Sequence, residues 1–186
     1  MGWGVLAHSA LVLQMDRKHT LAEVNSLSRH EFVRVIGPVF EHSPWIAEAT
    51  WPERPFASLE ELHGGLCRRL EQAGEEKQLA VIRAHPDLVG RAALAGTLTA
   101  ASRSEQASAG LDRLTAEEIA AFQKFNQAYQ ERFGFPFVIC ARLNKKEAIL
   151  AGFERRLPQS RQQEMKTALE EIGKIAYLRL QDLIQS

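Results

Sequence analysis

Four short motifs in this chain carry groups that could bind and transform a small polar molecule. The first is AHPDL, in which Pro86 follows His85. Proline disfavours helical geometry at the residue before it, so we expect His85 at a corner where a helix ends. A corner histidine can meet a ligand, and an imidazole near its intrinsic pKa exchanges protons at neutral pH. Standing alone, such a histidine is more often a surface or internally satisfied residue than a functional one.

The second motif is the run SRSEQ at residues 102–106. One interpretation is structural: Ser102 caps a helix, Glu105 is its third residue and completes a capping box, and Gln106 lies alongside. The other is functional: the carboxylate of Glu105 and the amide of Gln106 point at a ligand, with a hydroxyl from Ser102 or Ser104. The pattern alone leaves both open.

The third motif is FGFPFVICAR at residues 133–142, which follows a long helical pattern. Gly134 suits a left-handed helix stop, and Pro136 cannot continue a helix. Several backbone N–H groups in residues 137–141 therefore lie outside helical pairing and must find partners. Ligand oxygens would serve, and so would the ordinary turn or strand bonds of a buried connector.

The fourth candidate is Arg179 in the last predicted helix. It lies four residues after Ile175 and four before Leu183, which places it on the apolar stripe. An arginine there must extend outward to solvent or meet an anion, because an unpaired buried charge costs several kcal/mol. Both outcomes remain compatible with the spacing.

The elements that must position these groups are helices. Capping boxes and proline or glycine stops recur along the chain, whereas hairpin signals, βαβ alternation and internal repeats do not. The predicted helices start at Ser28, Pro44, Ser58, Glu75, Thr115, Asn144 and Ser160. We predict a single compact all-α domain of roughly seven or more helices, not a simple up-down bundle.

Composition limits the classes of function. The 186 residues suit one domain, and Lys plus Arg equals Asp plus Glu, so a basic nucleic-acid surface is not expected. Cys67 and Cys140 form no CxxC pattern, and the histidines lack metal-ligand spacing.

Residues 1–14 carry no Lys, Arg, Asp or Glu, are too short to span a bilayer and lack signal-peptide features. We expect a cytoplasmic protein with no membrane partner, an N-terminal extension at 1–20 and a domain at 21–186.

Taken together, the motifs resemble one family. HPDL, SxxEQxxAGL, FNxxYxxRFGFPFVICAR, SPWIAE and IAYLRL occur in the order found in 2-oxo-4-hydroxy-4-carboxy-5-ureidoimidazoline (OHCU) decarboxylases. The resemblance covers roughly residues 21–183, and its motifs together are far more specific than HPDL alone. It implies an all-α, homodimeric, cofactor-independent enzyme that forms (S)-allantoin and CO2 during urate degradation.

The resemblance also implies a set of site residues, with no metal among their ligands. His85, Glu105 and Arg179 would be catalytic. The substrate-binding residues would be Pro86, Ser102, Arg103, Ser104, Glu105, Gln106, Phe137, Val138, Ile139, Cys140, Ala141 and Arg179. His85 could deprotonate the substrate hydroxyl, protonate the product carbon, or do both. Glu105 could orient the imidazole and bind substrate, whereas the roles of Asp87 and Arg142 stay undecided.

Three other classes compete with this interpretation. A helix-turn-helix regulator would need a short basic recognition helix, which the neutral chain lacks. A helical protein-interaction module would explain the helices but not HPDL, the small-residue run or the inward arginine. A metal-dependent hydrolase would need a second histidine at ligand spacing from His85 and Asp87.

Overall fold

The structure, a computed structural model, describes residues 18–90, 93 and 95–185. Over these residues the chain is helical, and its extended pairing is limited to one isolated bridge between His19 and Ile184. The α-helices are α1 (Leu21–Ser26), α2 (Arg29–Ile36), α3 (Trp45–Thr50), α4 (Leu59–Glu71), α5 (Gly74–Ala84), α6 (Ala100–Ser108), α7 (Ala116–Phe133), α8 (Lys146–Arg156) and α9 (Arg161–Leu183). Three 3-10 turns lie at Gly37–Val39, Trp51–Glu53 and Ala141–Leu143. The all-α prediction is confirmed.

Most predicted helix starts are correct, because the capping side chains act as the sequence indicates. Ser28 and Thr115 each form complete capping boxes, and Ser58 and Ser160 accept hydrogen bonds from backbone N–H groups of the first turn. Thr20 forms a further box with Glu23 at the start of α1, a signal that the sequence analysis did not use.

Two caps differ from expectation. Asn144 does not cap α8: its Nδ2 donates to the Cys140 carbonyl, and Lys145 holds the cap position. Ser102 does not cap α6 either, because Thr99 does so and accepts a hydrogen bond from the Ser102 N–H. Ser102 therefore lies inside the first turn, where its hydroxyl is free for tertiary contacts. Asn144 is taken by a carbonyl of the preceding turn, whereas Ser102 donates to the distant Glu41.

The last helix, α9, is the element around which the others assemble. It packs against α4, α5 and α7 and against the 3-10 turn Gly37–Val39. Separately, α6 packs against the turn Ala141–Leu143. These contacts bring chain segments that are far apart in sequence to one region beside Arg179.

An aromatic cluster supports the segment that follows α7. Gly134 has φ 76°, so α7 ends with the left-handed residue that the sequence predicts. Behind the segment, the ring of Phe137 stacks on Phe153 with 3.8 Å between centroids, and Tyr129 contacts both rings edge-on. The extended stretch is therefore anchored by buried side chains although it forms no ladder hydrogen bonds.

Both ends of the described chain meet. His19 N–H donates to the Leu183 carbonyl, and Gln185 N–H donates to the His19 carbonyl, each at 2.8 Å. The uncharged stretch at 1–14 lies outside the described residues. Within the described part, no helix combines the length and apolar character that crossing a bilayer requires.

Candidate active site

Four segments meet at one small cavity: the end of α5, α6, α9 and the stretch after α7. Its volume is about 30 Å³. The lining residues are His85, Pro86, Leu88, Ser102, Glu105, Gln106, Phe137, Val138, Ile139, Ala141, Ile175 and Arg179. The fold thus gathers residues from all four motifs, although they span almost a hundred positions of sequence.

His85 follows the last residue of α5 with extended backbone geometry, as Pro86 requires. It is 7% exposed, and its Nδ1 lies 2.9 Å from the Val81 carbonyl. A carbonyl can only accept, so Nδ1 carries the proton and Nε2 of the neutral ring has a free lone pair. Burial lowers the pKa of His85 to about 4, against the bond to Val81, which favours the charged form. The expected near-intrinsic pKa is therefore wrong, and this imidazole is a neutral acceptor at neutral pH.

Arg179 is buried, and its guanidinium is held by carboxylates. Nε and Nη2 donate to Oε1 and Oε2 of Glu105 at 2.7 and 2.8 Å, a bidentate pair. Glu105 thus faces Arg179, and the backbone of Val81, not Glu105, orients His85 in this structure. Burial would lower the pKa of Arg179, but the bonds and charges of Glu105 and Glu41 outweigh it and raise the pKa.

Glu41 is a member of this cluster that the sequence analysis missed. It is 4% exposed, and its Oε2 accepts a 2.8 Å hydrogen bond from Arg179 Nη1. Its Oε1 accepts from Thr99 and Ser102 at 2.9 and 3.2 Å. Burial opposes the charged form, yet these bonds lower the pKa of Glu41 overall. The available signal was weak: one acidic residue in the corner before SPWIAE, on no helix face.

The backbone around Glu41 is built to point the carboxylate inward. Ser43 N–H donates to the Phe40 carbonyl, which closes a turn, and the Ser43 hydroxyl donates to the Glu41 carbonyl. Between them, His42 adopts φ 49°, a left-handed conformation that non-glycine residues seldom take. His42 is exposed whereas Glu41 and Ser43 are buried. The turn therefore directs the His42 side chain to solvent and the Glu41 carboxylate to the interior.

Gln106 supports the loop that carries the histidine. Its Oε1 accepts a 3.2 Å hydrogen bond from the Val89 N–H, which leaves Nε2 as a donor beside the cavity. Val89 has φ 55°, unusual for a β-branched residue. Asn126 Nδ2 donates to the Leu88 carbonyl at 2.7 Å and holds the same loop from α7. Side chains from two helices therefore keep the loop after His85 in a strained conformation.

Two residues of the SRSEQ motif face away from the cavity. Arg103 and Ser104 are exposed, and neither lines the cavity. Arg103 Nη2 instead approaches the Gly96 and Leu98 carbonyls, both at 3.4 Å. Ser102, Glu105 and Gln106 face inward. Three- and four-residue helical spacing therefore places these three on the cavity side and Arg103 and Ser104 on the solvent side.

The segment 137–141 lines the cavity with Phe137, Val138, Ile139 and Ala141, while Cys140 lies outside the lining. Cys140 N–H donates to Glu171 Oε2 at 2.7 Å. Across the described residues, the N–H groups of Val138, Ile139 and Ala141 make no hydrogen bond. The N–H of Phe137 likewise makes none, so four donors of the segment are available to a ligand and only the donor of Cys140 is engaged.

The two undecided residues take part in other contacts. Asp87 Oδ1 accepts from Gln130 at 3.3 Å and makes no bond to His85. Arg142 pairs bidentately with Asp182 in the last turn of α9, at 2.5 and 3.2 Å. In the chain that the structure describes, no group of three or more His, Cys, Asp or Glu residues could hold a metal ion.

The fold and the cavity define an all-α protein with a buried polar site built from a neutral histidine, two carboxylates and an arginine. The family described as OHCU decarboxylase matches residues 25–181, and the chain belongs to this family. Two relatives named 2-oxo-4-hydroxy-4-carboxy-5-ureidoimidazoline decarboxylase are similar over nearly their whole length. The one from Haloferax volcanii is 46% identical over 90% of this chain and 97% of its own. The one from Amia calva is 47% identical over 89% of this chain and 94% of its own.

A solved structure supports the same fold. The crystal structure of (S)-allantoin synthase superposes with a TM-score of 0.72 at 27% identity. The match covers 89% of this chain and 54% of that chain. The described helices are therefore arranged as in (S)-allantoin synthase.

Proposed function

We propose that this chain decarboxylates 2-oxo-4-hydroxy-4-carboxy-5-ureidoimidazoline to (S)-allantoin and CO2 in urate degradation. The observation that carries the proposal is the cavity where the neutral His85, Arg179 and Glu105 meet, in a chain of the OHCU decarboxylase family. The substrate is a small ring with a carboxylate and a hydroxyl on one carbon. The neighbouring carbon is part of a C=N bond and carries a ureido arm.

In this proposal, the carboxylate of the substrate takes the place of a protein carboxylate on Arg179. Arg179 uses Nε and Nη2 on Glu105 and Nη1 on Glu41. A bidentate substrate carboxylate would displace Glu105, the less buried partner at 12% side-chain exposure against 4% for Glu41. The cavity of about 30 Å³ has room for only a water or two, so opening this pair would also provide space. Glu105 would then accept from the substrate hydroxyl or an N–H group.

His85 would begin as a base. Its Nδ1 donates to Val81, so Nε2 can take the hydroxyl proton of the substrate. Breaking the bond to the carboxylate releases CO2, and its electron pair forms a carbon–carbon double bond in the ring. The imine nitrogen accepts the displaced pair and takes a proton from solvent. This built-in electron sink is why the proposed reaction needs no cofactor.

The second half of the reaction would use the same proton. The intermediate is an enolate, and protonated His85 returns a proton to the carbon that carries the ureido arm while the hydroxyl carbon becomes a carbonyl. Delivery from one fixed side selects one enantiomer. The unengaged N–H groups of residues 137–141 would bind oxygens of the ligand, and donors of this kind contribute about 2–4 kcal/mol each at comparable sites. One proton is consumed overall.

Circular dichroism of a coupled reaction tests the proposal. Urate oxidase and hydroxyisourate hydrolase would generate the unstable substrate in place before this protein is added. We expect a rapid rise of the (S)-allantoin signal beyond the slow spontaneous formation of racemate. Folded protein that leaves only the racemic background would refute the proposed activity.

Two further properties belong to the proposal. We propose a homodimer, on the resemblance to the family, and sedimentation equilibrium at several protein concentrations would reveal a monomer if this is wrong. We also propose a cytoplasmic location, which fractionation of cells producing the untagged chain would test.

A further inference from the structure

The peptide units on both sides of Ile139 are fixed by buried charged side chains. Arg156 Nη1 donates to the Val138 carbonyl at 2.8 Å, and Glu171 Oε2 accepts from the Cys140 N–H at 2.7 Å. Arg156 is itself held by Glu164, with Nε 2.9 and 3.0 Å from the two carboxylate oxygens, and Glu164 is fully buried. Neither Arg156 nor Glu171 lines the cavity.

These two hydrogen bonds fix the directions in which the N–H and C=O of Ile139 point, because the adjoining peptide units are trans. Both peptide bonds of Ile139 are trans, and in a trans unit the C=O and N–H bonds point in opposite directions. Because Arg156 holds the Val138 C=O, the Ile139 N–H points away from Arg156. Because Glu171 holds the Cys140 N–H, the Ile139 C=O points away from Glu171.

Ile139 therefore has both a donor and an acceptor without partners. Over the described residues, neither its N–H nor its C=O makes a hydrogen bond, although the neighbouring residues are buried. Ile139 itself is half-buried and lines the cavity, so its unengaged donor and acceptor are placed where a ligand could pair with both.

We infer that Arg156 and Glu171 are positioning residues that hold the N–H and C=O of Ile139 toward the cavity, where this pair binds a ligand edge with an adjacent acceptor and donor. An amide or ureido group has such an edge. The inference rests on the proposed function, because OHCU and allantoin both carry a ureido arm. The arm is attached to the ring carbon next to the one that loses CO2 and is itself unchanged by the reaction, so the contact acts on binding and orientation.

Isotope labelling can observe the contact directly. Ile139–Cys140 is the only Ile–Cys pair in the sequence, so protein labelled with carbonyl-13C isoleucine and 15N cysteine gives one carbonyl–amide correlation. We expect the Ile139 carbonyl resonance to shift on saturation with (S)-allantoin. A resonance that stays in place while calorimetry shows allantoin bound would overturn the inference.

Variants of Glu171 test the positioning role. Glu171→Ala should raise KM and the allantoin Kd about tenfold, equivalent to about 1.4 kcal/mol, with a smaller change in kcat. Glu171→Gln should recover most of the affinity, because its amide oxygen can still accept from Cys140. Lys174→Gln is the matched control: Lys174 contacts the other oxygen of Glu171 at 2.5 Å, so its loss should leave Kd near the wild-type value.

The outcomes separate this inference from the proposed function. Wild-type protein without decarboxylation or allantoin binding would refute the function itself. If the wild type is active and folded Glu171→Ala binds (S)-allantoin with an unchanged Kd, only the positioning role is refuted. If Glu171→Ala does not fold, Arg156→Lys provides the same test, since it keeps a charge opposite Glu164 but loses the second arm that reaches Val138.

Discussion

Arg179 and Glu41 form a buried ion pair with 2.8 Å between Nη1 and Oε2, and their side chains are only 7% and 4% exposed. Glu41 is also bonded by Thr99 and Ser102, so its carboxylate has partners whether or not a ligand is present. Glu105 binds the other two arms of Arg179 and lines the cavity. The pair with Glu41 thus fixes the arginine, and the pair with Glu105 is the one that we propose a ligand replaces.

Removal of Glu41 should therefore affect both stability and affinity. Glu41→Ala strips a partner from a buried arginine, and because Glu105 still compensates the charge we expect a loss of about 2–3 kcal/mol in the free energy of unfolding. Urea denaturation measures this loss, and KM for the substrate should rise in the same variant. Glu48→Ala is the control, since Glu48 pairs with Arg29 on the surface and such pairs contribute at most about 1 kcal/mol. Equal losses in the two variants would contradict the assigned role of Glu41.

Replacement of the histidine should abolish turnover without unfolding the protein. His85→Asn removes the only proposed group that can take and return a proton, and general acid–base catalysis contributes about 10²–10⁴-fold to the rate. The coupled dichroism assay measures the effect. His42→Asn serves as the control, because His42 is exposed and asparagine tolerates its left-handed φ of 49°. Undiminished (S)-allantoin formation by His85→Asn would sink the role of His85.

The stability of the protein should depend on pH through His85. Its folded pKa of about 4 lies below the ordinary 6.5, so between these values the unfolded chain binds more protons than the folded one. The contribution is complete above about pH 6.5, is lost as the pH falls towards 4, and has a size of about 3 kcal/mol. Urea denaturation of wild type and His85→Asn at several pH values measures it, since groups common to both chains cancel. The free energy of unfolding of the wild type should therefore fall relative to that of His85→Asn on acidification. No such relative fall would show that the folded pKa is not lowered.

Arg179 should contribute more to affinity than Glu105. Arg179→Ala removes the guanidinium fork and leaves Glu41 without a counter-ion, whereas Glu105→Gln keeps the shape of the side chain that a ligand is proposed to displace. We expect a higher Kd for (S)-allantoin and a higher KM in Arg179→Ala than in Glu105→Gln. Arg179→Lys keeps the charge but cannot form the bidentate pair, so it should also bind weakly. Calorimetry that gives equal affinities for Arg179→Ala and Glu105→Gln would reject the ranking.

Two glycines should respond differently to the same substitution, because only one of them has a left-handed φ. Gly134 ends α7 at φ 76°, where an L-residue is strained, so Gly134→Ala should destabilise the fold by about 1 kcal/mol. Gly64 lies inside α4, and an added Cβ would meet only the end of the Arg68 side chain at 3.4 Å. Gly64→Ala should be stabilising or neutral, by up to about 1 kcal/mol. Thermal unfolding compares them, and shifts in the same direction would mean that φ does not decide the effect at Gly134.

Local patterns in the sequence determined the helices and their ends. The capping boxes at Ser28 and Thr115 and the stop at Gly134 act within one turn of chain, so they can be read without knowing the fold. The apolar stripe of α9 likewise placed Arg179 in the interior, and the structure buries it. The family also followed from the sequence, because its motifs occur together and in order.

The partners of the buried charges depended on the tertiary structure. Nothing near Glu41 in sequence indicates that it pairs with Arg179, 138 positions away. The pKa of His85 depends on burial, and its orientation depends on a carbonyl in the preceding turn of α5, so the bare motif left both open. The direction of the Ile139 backbone depends on Arg156 and Glu171, which come from two later helices. Helix capping is satisfied within a few residues, whereas a buried charge or an unpaired peptide group is satisfied by whatever the packing of distant helices brings against it.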